Sequence, residues 1–248
     1  GICELDASIM DGRTQAAGAI ASVRRIKNPI TLARAVMEKS EHVLLAGEGA
    51  EKFAVTQGFS LVDNSYFQTD RRRQDLQRAQ QREAEQRAGK KSAAHLPLEQ
   101  AEGDHFDRTS RYGTVGCAAL DQHGNLAAGT STGGRTNKKF GRIGDAPIIG
   151  AGTYAHNATC AVSATGWGEF FIRASVAHDI AAQMEYRGTP LAEAAQAALA
   201  KVARLGGDGG VVAIDKDGNI ALPFNTSGMY RGYRLSTGAS EVALFGPP

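Results

Sequence analysis

From Phe59 to Arg111 the hydrophobic pattern of this chain lapses, and it resumes abruptly at Tyr112-Gly113-Thr114-Val115-Gly116-Cys117-Ala118-Ala119-Leu120-Asp121. That resumption constrains the fold more than anything else in the sequence. It reads as a strand beginning at a threonine, with Asp121-Gln122-His123-Gly124-Asn125 as its turn. Leu126 to Thr132 then runs back as a second strand, ending in Ser131-Thr132-Gly133-Gly134. A hairpin of this length brings the start of one strand beside the end of its partner. Thr114 and Thr132 are therefore predicted side by side on a sheet edge, as a candidate active site.

The stretch ahead of the hairpin carries the charge of the molecule. Between Arg71 and Lys91 stand eight basic residues against three acids, a balance of +5, so the rest of the chain sits at −3 within a total of +2. Leu76 stands alone among charges and amides. A segment that buries so little apolar surface does not offset its ordering entropy, so a flexible basic linker over 59–113 is expected. A basic arm for nucleic acid is the sharper alternative. With no aromatic interleaving or RNA-binding motif, nucleic acid is not favoured as a partner.

Composition excludes several classes. No apolar run approaches the roughly eighteen residues that a membrane span needs, and no signal-peptide pattern is present. Cys3, Cys117 and Cys160 are odd in number and widely spaced. They argue against a disulfide framework and fit a reducing cytoplasm. The six histidines form no ligand-spaced cluster, so no zinc or other metal site is expected. Gly1 is not a translation start, which implies that residues precede it.

The other segments predict a layered α/β arrangement with mostly antiparallel strands. Residues 4–23 form a hairpin around Asp11-Gly12, and Asn28-Pro29 opens a helix through Lys39. Glu48 to Gln57 is a second helix closed by Gly58. Thr153 to Thr165 is strand, turn and strand, followed by one long helix from Glu169 to Tyr186 and an alanine-rich helix from Leu191 to Arg204. A last hairpin, Val211–Asp215 and Ile220–Phe224, repeats the first turn: Asp215, Gly218 and Asn219 echo Asp121, Gly124 and Asn125. The two hairpins suggest one sheet built of repeated strand pairs and covered by helices.

A threonine hydroxyl is a weak nucleophile unless a base takes its proton. No histidine lies near Thr114, and no Ser-His-Asp pattern stands out. If the bond between Gly113 and Thr114 were cut, the freed α-amine, with a pKa of about 7.7–8.0, would be a base on the same residue. Gly113 tolerates the backbone conformations such a cut requires. From the residues alone, an ordinary strand threonine is the favoured reading.

Further motifs occur in order: Glu4-Leu5-Asp6-Ala7 with Met10-Asp11-Gly12, Gly113-Thr114-Val115-Gly116, Thr130-Ser131-Thr132-Gly133-Gly134, Gly141-Arg142-Ile143-Gly144-Asp145, Ala164-Thr165-Gly166-Trp167-Gly168-Glu169 and Pro223-Phe224-Asn225-Thr226. Together they resemble the plant-type L-asparaginases, or isoaspartyl peptidases, of the N-terminal nucleophile hydrolase superfamily. The likeness covers the chain outside 59–111. It implies an α+β fold, a four-layer αββα sandwich of mostly antiparallel sheets. It also implies self-cleavage between Gly113 and Thr114 into an α-subunit (1–113) and a β-subunit (114–248), forming one structural domain and pairing as (αβ)2.

By the same resemblance Thr114 attacks the side-chain carbonyl of L-asparagine or of a β-aspartyl dipeptide, forming an acyl-enzyme from which water releases aspartate. Thr132 tunes the nucleophile, and Thr165 and Gly166 form the oxyanion hole. Arg142 holds the substrate α-carboxylate, Asp145 its α-ammonium, and the Gly168 carbonyl meets that ammonium too. Without the resemblance, Arg142 and Asp145 would pass for a surface ion pair worth at most about 1 kcal/mol. Glu169 is expected only to favour a helix N-terminus, and Trp167 has no assigned role. The resemblance implies no catalytic cofactor and allows a structural sodium or potassium ion. This chain lacks the family's strand with a His-Gly-Gly-Ala-Gly signature, the helix after it and the sodium loop, all ahead of Glu4. The alternatives are a glycosylasparaginase-like amidase and an inactive relative acting as a binding module.

Overall fold

The computed structural model describes residues 1–90 and 113–246. Two sheets carry the fold. Strands β1 (Leu5–Asp11), β2 (Ala17–Val23), β3 (Leu44–Ala46), β4 (Val115–Leu120) and β5 (Leu126–Thr132) form the first, in the order β3-β2-β1-β5-β4. All its pairs are antiparallel except β2 with β3. The second sheet runs β6-β7-β8-β9, from Thr153–Ala155, Cys160–Gly166, Gly209–Asp215 and Ile220–Ala221, antiparallel throughout. A separate ribbon pairs β10 (Arg231–Arg234) with β11 (Ser240–Ala243). The architecture is α+β.

Burial explains how these elements stack. Helices α1 (Pro29–Lys39) and α2 (Gly47–Thr56) close a cluster with Ala7, Ile20 and Val23 of the first sheet. Helices α4 (Gly168–Ala174), α5 (Val176–Arg187) and α6 (Leu191–Arg204) close another with Val162, Ala164 and Val211 of the second. A third cluster, Met10, Leu126, Ala128, Ala155 and Ala161, joins β1 and β5 to β6 and β7. Each fully buried side chain of Leu or Ile size contributes on the order of 1.5–3 kcal/mol.

Several expectations need correction. The two echoing hairpins do not share a sheet: β4–β5 edges the first and β8–β9 the second. The helix expected over Glu169–Tyr186 is two helices, broken at Ser175, whose left-handed backbone (φ 49°) is rare for a residue with a Cβ. The return strand of the last hairpin is only Ile220–Ala221. Pro223 has no N–H to extend the ladder, although its carbonyl still accepts from Val211 N. Strands β3, β10 and β11 are too short to show a clear alternation.

The largest correction concerns the expected linker. Leu61 bridges Ile26, and Phe59 and Leu61 pack against the α1–α2 cluster. Asp70–Lys90 is a 21-residue helix, α3. It lacks an apolar stripe, but Arg, Gln, Ala and Glu are strong helix formers, and their propensity outweighs the missing pattern. Thr69 Oγ1 accepts from Arg72 N at the helix start, and Arg87 pairs with Glu83 one turn away. Glu83 is also tied to the body of the molecule by Asn137 (3.1 Å) and Lys139. Residues 91–112 of the expected linker lie outside the described residues.

Candidate active site

The start of β4, the end of β5, the end of β7, the start of β8 and the 134–146 loop converge on one pocket. Its lining includes Thr114, Thr132, Arg142, Asp145, Thr165 and Gly166, so six of the expected site residues share one cavity. Thr114 Oγ1 donates to Thr132 Oγ1 at 3.1 Å, and Thr132 Oγ1 in turn accepts from Gly134 N at 3.0 Å. The predicted side-by-side threonines are therefore in contact. Gly113 is exposed, and the nearest atom to a Cβ built on it is an Arg72 guanidinium nitrogen at 3.8 Å. The Arg72 side chain of α3 thus reaches Gly113.

Gly168 stands behind the charged pair. A Cβ there would lie 2.8 Å from Asp145 Oδ1 and 2.9 Å from Arg142 Nη2, so only glycine lets both side chains approach this turn. Gly166 faces Gly209 across β7 and β8, and a Cβ on Gly209 would reach within 2.3 Å of the Thr165 carbonyl. The proposed oxyanion wall is therefore built on backbone packed against backbone.

The electrostatics of Arg142 and Asp145 differ from the sequence expectation. They form no salt bridge with each other. Instead Arg142 Nε and Nη2 donate to the two carboxylate oxygens of Glu169 at 2.9 and 2.8 Å, a bidentate fork. Glu169 does lie in the first turn of α4, but its main partner is this guanidinium. Arg142 holds the Glu169 carboxyl below its ordinary range. Asp145 is buried, one of its oxygens has no hydrogen-bond partner, and desolvation pushes it up to about 7. A buried carboxylate without a cation of its own is suited to receive an ammonium group.

Two supports behind the pocket escaped sequence reading. Lys138, nearly buried, lies 3.5 Å from Glu4 and 3.9 Å from Asp6, tying the loop that carries Arg142 and Asp145 to β1. Burial raises the Asp6 carboxyl, with Lys138 opposing it. Beneath the pocket, four buried hydroxyls form a chain: Ser163 to Thr130 (2.7 Å), Thr153 to Thr130 (2.6 Å) and Ser8 to Thr153 (2.7 Å). The Ser8 hydroxyl also lies 2.6 Å from the carbonyl oxygen of Ala146, so its one proton is shared between these two acceptors. Thr130 and Ser163 each stand two residues before a site threonine, on the same face of its strand. The chain links the walls that carry Thr132, Thr165 and Asp145.

Sequence reading also missed Arg135, Asp208, Gly209, Gly210 and Met229 in the lining. Asn225 belongs to a motif that resemblance quoted without a role. Its side chain accepts from Gly209 N at 2.7 Å, while its own N–H donates to the Gly209 carbonyl at 2.9 Å. Among the described residues no cluster of His, Cys, Asp and Glu is placed to hold a metal ion, and no helix is long and apolar enough to cross a membrane.

Comparisons with known proteins identify relatives of this chain. A family model described as asparaginase matches residues 1–244. An isoaspartyl peptidase of Salmonella typhimurium is 50% identical over 246 residues, covering 99% of this chain and 75% of the relative. One from Escherichia coli is 51% identical over 243 residues, covering 98% and 72%. A probable isoaspartyl peptidase/L-asparaginase of Arabidopsis thaliana is 44% identical over 254 residues, covering 99% and 77%. The chain belongs to the asparaginase family, alongside isoaspartyl peptidases and L-asparaginases.

Proposed function

We propose that this protein is a self-cleaving hydrolase of L-asparagine and β-aspartyl dipeptides that releases L-aspartate through a threonine acyl-enzyme. The observation that carries the reading is the 3.1 Å contact of the Thr114 and Thr132 hydroxyls in the pocket lined by Arg142 and Asp145. Relatives named isoaspartyl peptidase and L-asparaginase support the same activity.

Cleavage between Gly113 and Thr114 yields an α-subunit ending at 113 and a β-subunit beginning at 114, together one structural domain and paired as (αβ)2. The three stacked clusters support a four-layer αββα sandwich. Substrate enters with its α-carboxylate toward Arg142 and its α-ammonium toward Asp145 and the Gly168 carbonyl. The α-amine of Thr114 takes the hydroxyl proton, and Oγ1 bonds to the substrate's side-chain carbonyl carbon. The oxygen that gains the negative charge meets Thr165 Oγ1 and Gly166 N–H, while Thr132 steadies the nucleophile. The C–N bond then breaks, and the leaving nitrogen carries the proton away as ammonia or as the amine of the departing residue. Water attacks the resulting ester, aspartate leaves, and the hydroxyl is restored.

The bidentate fork from Glu169 keeps the guanidinium aimed across the pocket before substrate arrives. Purified protein is to be assayed with L-asparagine and with β-aspartyl-leucine, following aspartate release beside the Thr114→Ala variant. Aspartate from both substrates, lost in the variant, is expected. No release from cleaved wild-type protein would overturn the reading.

A further inference from the structure

Arg142 and Asp145 engage only the amino-acid end that asparagine and a β-aspartyl dipeptide have in common. What distinguishes the dipeptide is the residue beyond the scissile bond, which adds a side chain and a second carboxylate. The pocket lining holds two further charged residues, Arg135 and Asp208. Of these, only the guanidinium matches what the second residue adds.

Arg135 is exposed where Arg142 and Asp145 are half-buried and buried, so it stands at the outer rim of the same cavity. Its guanidinium carbon lies 4.9 Å from the centre of the Trp167 ring, and that ring is braced edge-on by Phe170 at 5.3 Å. Stacking engages the face of a guanidinium, whereas its N–H donors lie in the plane and suit a carboxylate fork. The indole of Trp167 offers an apolar surface beside it. Arg135 follows directly on Thr132-Gly133-Gly134, whose turn is fixed by the bond from Gly134 N to Thr132 Oγ1. The cation is thereby tethered to the catalytic threonine pair.

We propose that Arg135 and Trp167 form a subsite for the leaving residue, in which Arg135 takes its C-terminal carboxylate and Trp167 its side chain. The subsite makes β-aspartyl dipeptides with a free C-terminus favoured over asparagine. It rests on the activity proposed above, and the test separates the two.

The test compares wild type with Arg135→Gln on three substrates: L-asparagine, β-aspartyl-leucine and β-aspartyl-leucinamide, whose terminal carboxylate is blocked. In wild type, blocking the carboxylate should lower kcat/KM about three- to tenfold, as expected for one partly exposed charge-assisted contact. In Arg135→Gln the ratio of kcat/KM for β-aspartyl-leucine to that for asparagine should fall by the same factor, through KM. Free and amidated dipeptides should then be hydrolysed alike. Raising salt should narrow the wild-type preference, since the contact lies at the rim. Equal losses on all three substrates, or an undiminished preference for the free carboxylate in the variant, would overturn the subsite. Wild type hydrolysing none of the three would instead overturn the activity itself. An unchanged melting temperature in the variant separates recognition from folding.

Discussion

The β4–β5 and β8–β9 hairpins share a turn and almost nothing else. In the first, Asp121 Oδ1 accepts from the N–H groups of His123 and Asn125, both at 2.8 Å, and Oδ2 from the Asn125 amide at 3.1 Å. In the second, Asp215 does the same with Asp217 (3.0 Å) and Asn219 (2.8 Å for both bonds). Gly124 and Gly218 take the left-handed positions at φ 81° and 84°. Yet β4 is an exposed edge strand, whereas β8 is buried between β7 and β9. Both deliver the start of their first strand to the pocket, one with the Thr114 hydroxyl and the other with the bare backbone of Gly209-Gly210. The turn sets the hairpin, while the opposite end of the strand determines what each contributes: the hydroxyl of the proposed nucleophile, or a backbone wall of the same pocket.

The sharpest way to break this comparison is to exchange those contributions. Thr114→Ala removes the only group β4 brings, and both cleavage and aspartate release should fall at least about 10⁴-fold, the scale for losing a covalent nucleophile or its base. A denaturing gel and an aspartate assay check this, and melting should change little because the position lies at the strand end.

Gly209→Ala attacks the other hairpin. Its φ of 155° and the 2.3 Å approach to the Thr165 carbonyl leave no room for a methyl group. Stability should drop by on the order of 1–3 kcal/mol, the cost of such backbone strain, with hydrolysis reduced as the oxyanion wall shifts. The same change at Gly218 should cost about 1 kcal/mol, because nothing but Leu120, at 4.0 Å, approaches that turn. Thermal melts of the two variants rank them.

Asp145, on the loop between the hairpins, sharpens the comparison through pH. Burial raises its carboxyl to about 7, with Arg142 opposing the rise and Glu169 and Asp6 adding to it. Between about pH 4 and 7 the folded protein therefore holds a proton that the unfolded chain has released, so this group's contribution to stability declines as pH rises through that window. Ligand behaves in the opposite sense. An ammonium group needs the ionised acid, so L-aspartate should bind about tenfold more tightly at pH 8 than at pH 6 and take up less base at the higher value. Calorimetry across that range measures both, and Asp145→Asn should flatten the profile.

The smallest effects belong to the turns. Asp215→Ala strips three bonds from a buried carboxylate and should cost about 1–3 kcal/mol. Asp121→Ala strips the same bonds in solvent and should cost less, as chemical denaturation of the pair would show. Equal losses would mean that burial does not distinguish the two turns.

Much of this was legible because it was local. The boundaries of α1, α6 and β5 follow from Asn28-Pro29, the alanine periodicity and the alternation ending at Thr132. The pairing of Thr114 with Thr132 follows from hairpin length. What sequence left open depends on contacts between distant segments. Leu76 alone gave no apolar face on which α3 could pack, since its anchors, Asn137 and Lys139, lie more than fifty residues along the chain from Glu83. Nothing within Glu169–Tyr186 announced the left-handed Ser175. The fork from Arg142 to Glu169 joins residues on different elements, so a charge pattern along the chain does not reveal it. Lys138 looked like one more loop lysine until the fold brought it against Glu4 and Asp6.

The proposed function requires that Thr114 become the first residue of a new chain. Intact-mass measurement of the purified protein after prolonged incubation tests it directly. Two species are expected, with masses that correspond to a break between Gly113 and Thr114 and the second beginning at threonine. A single uncleaved species, or a break at another bond, would contradict it.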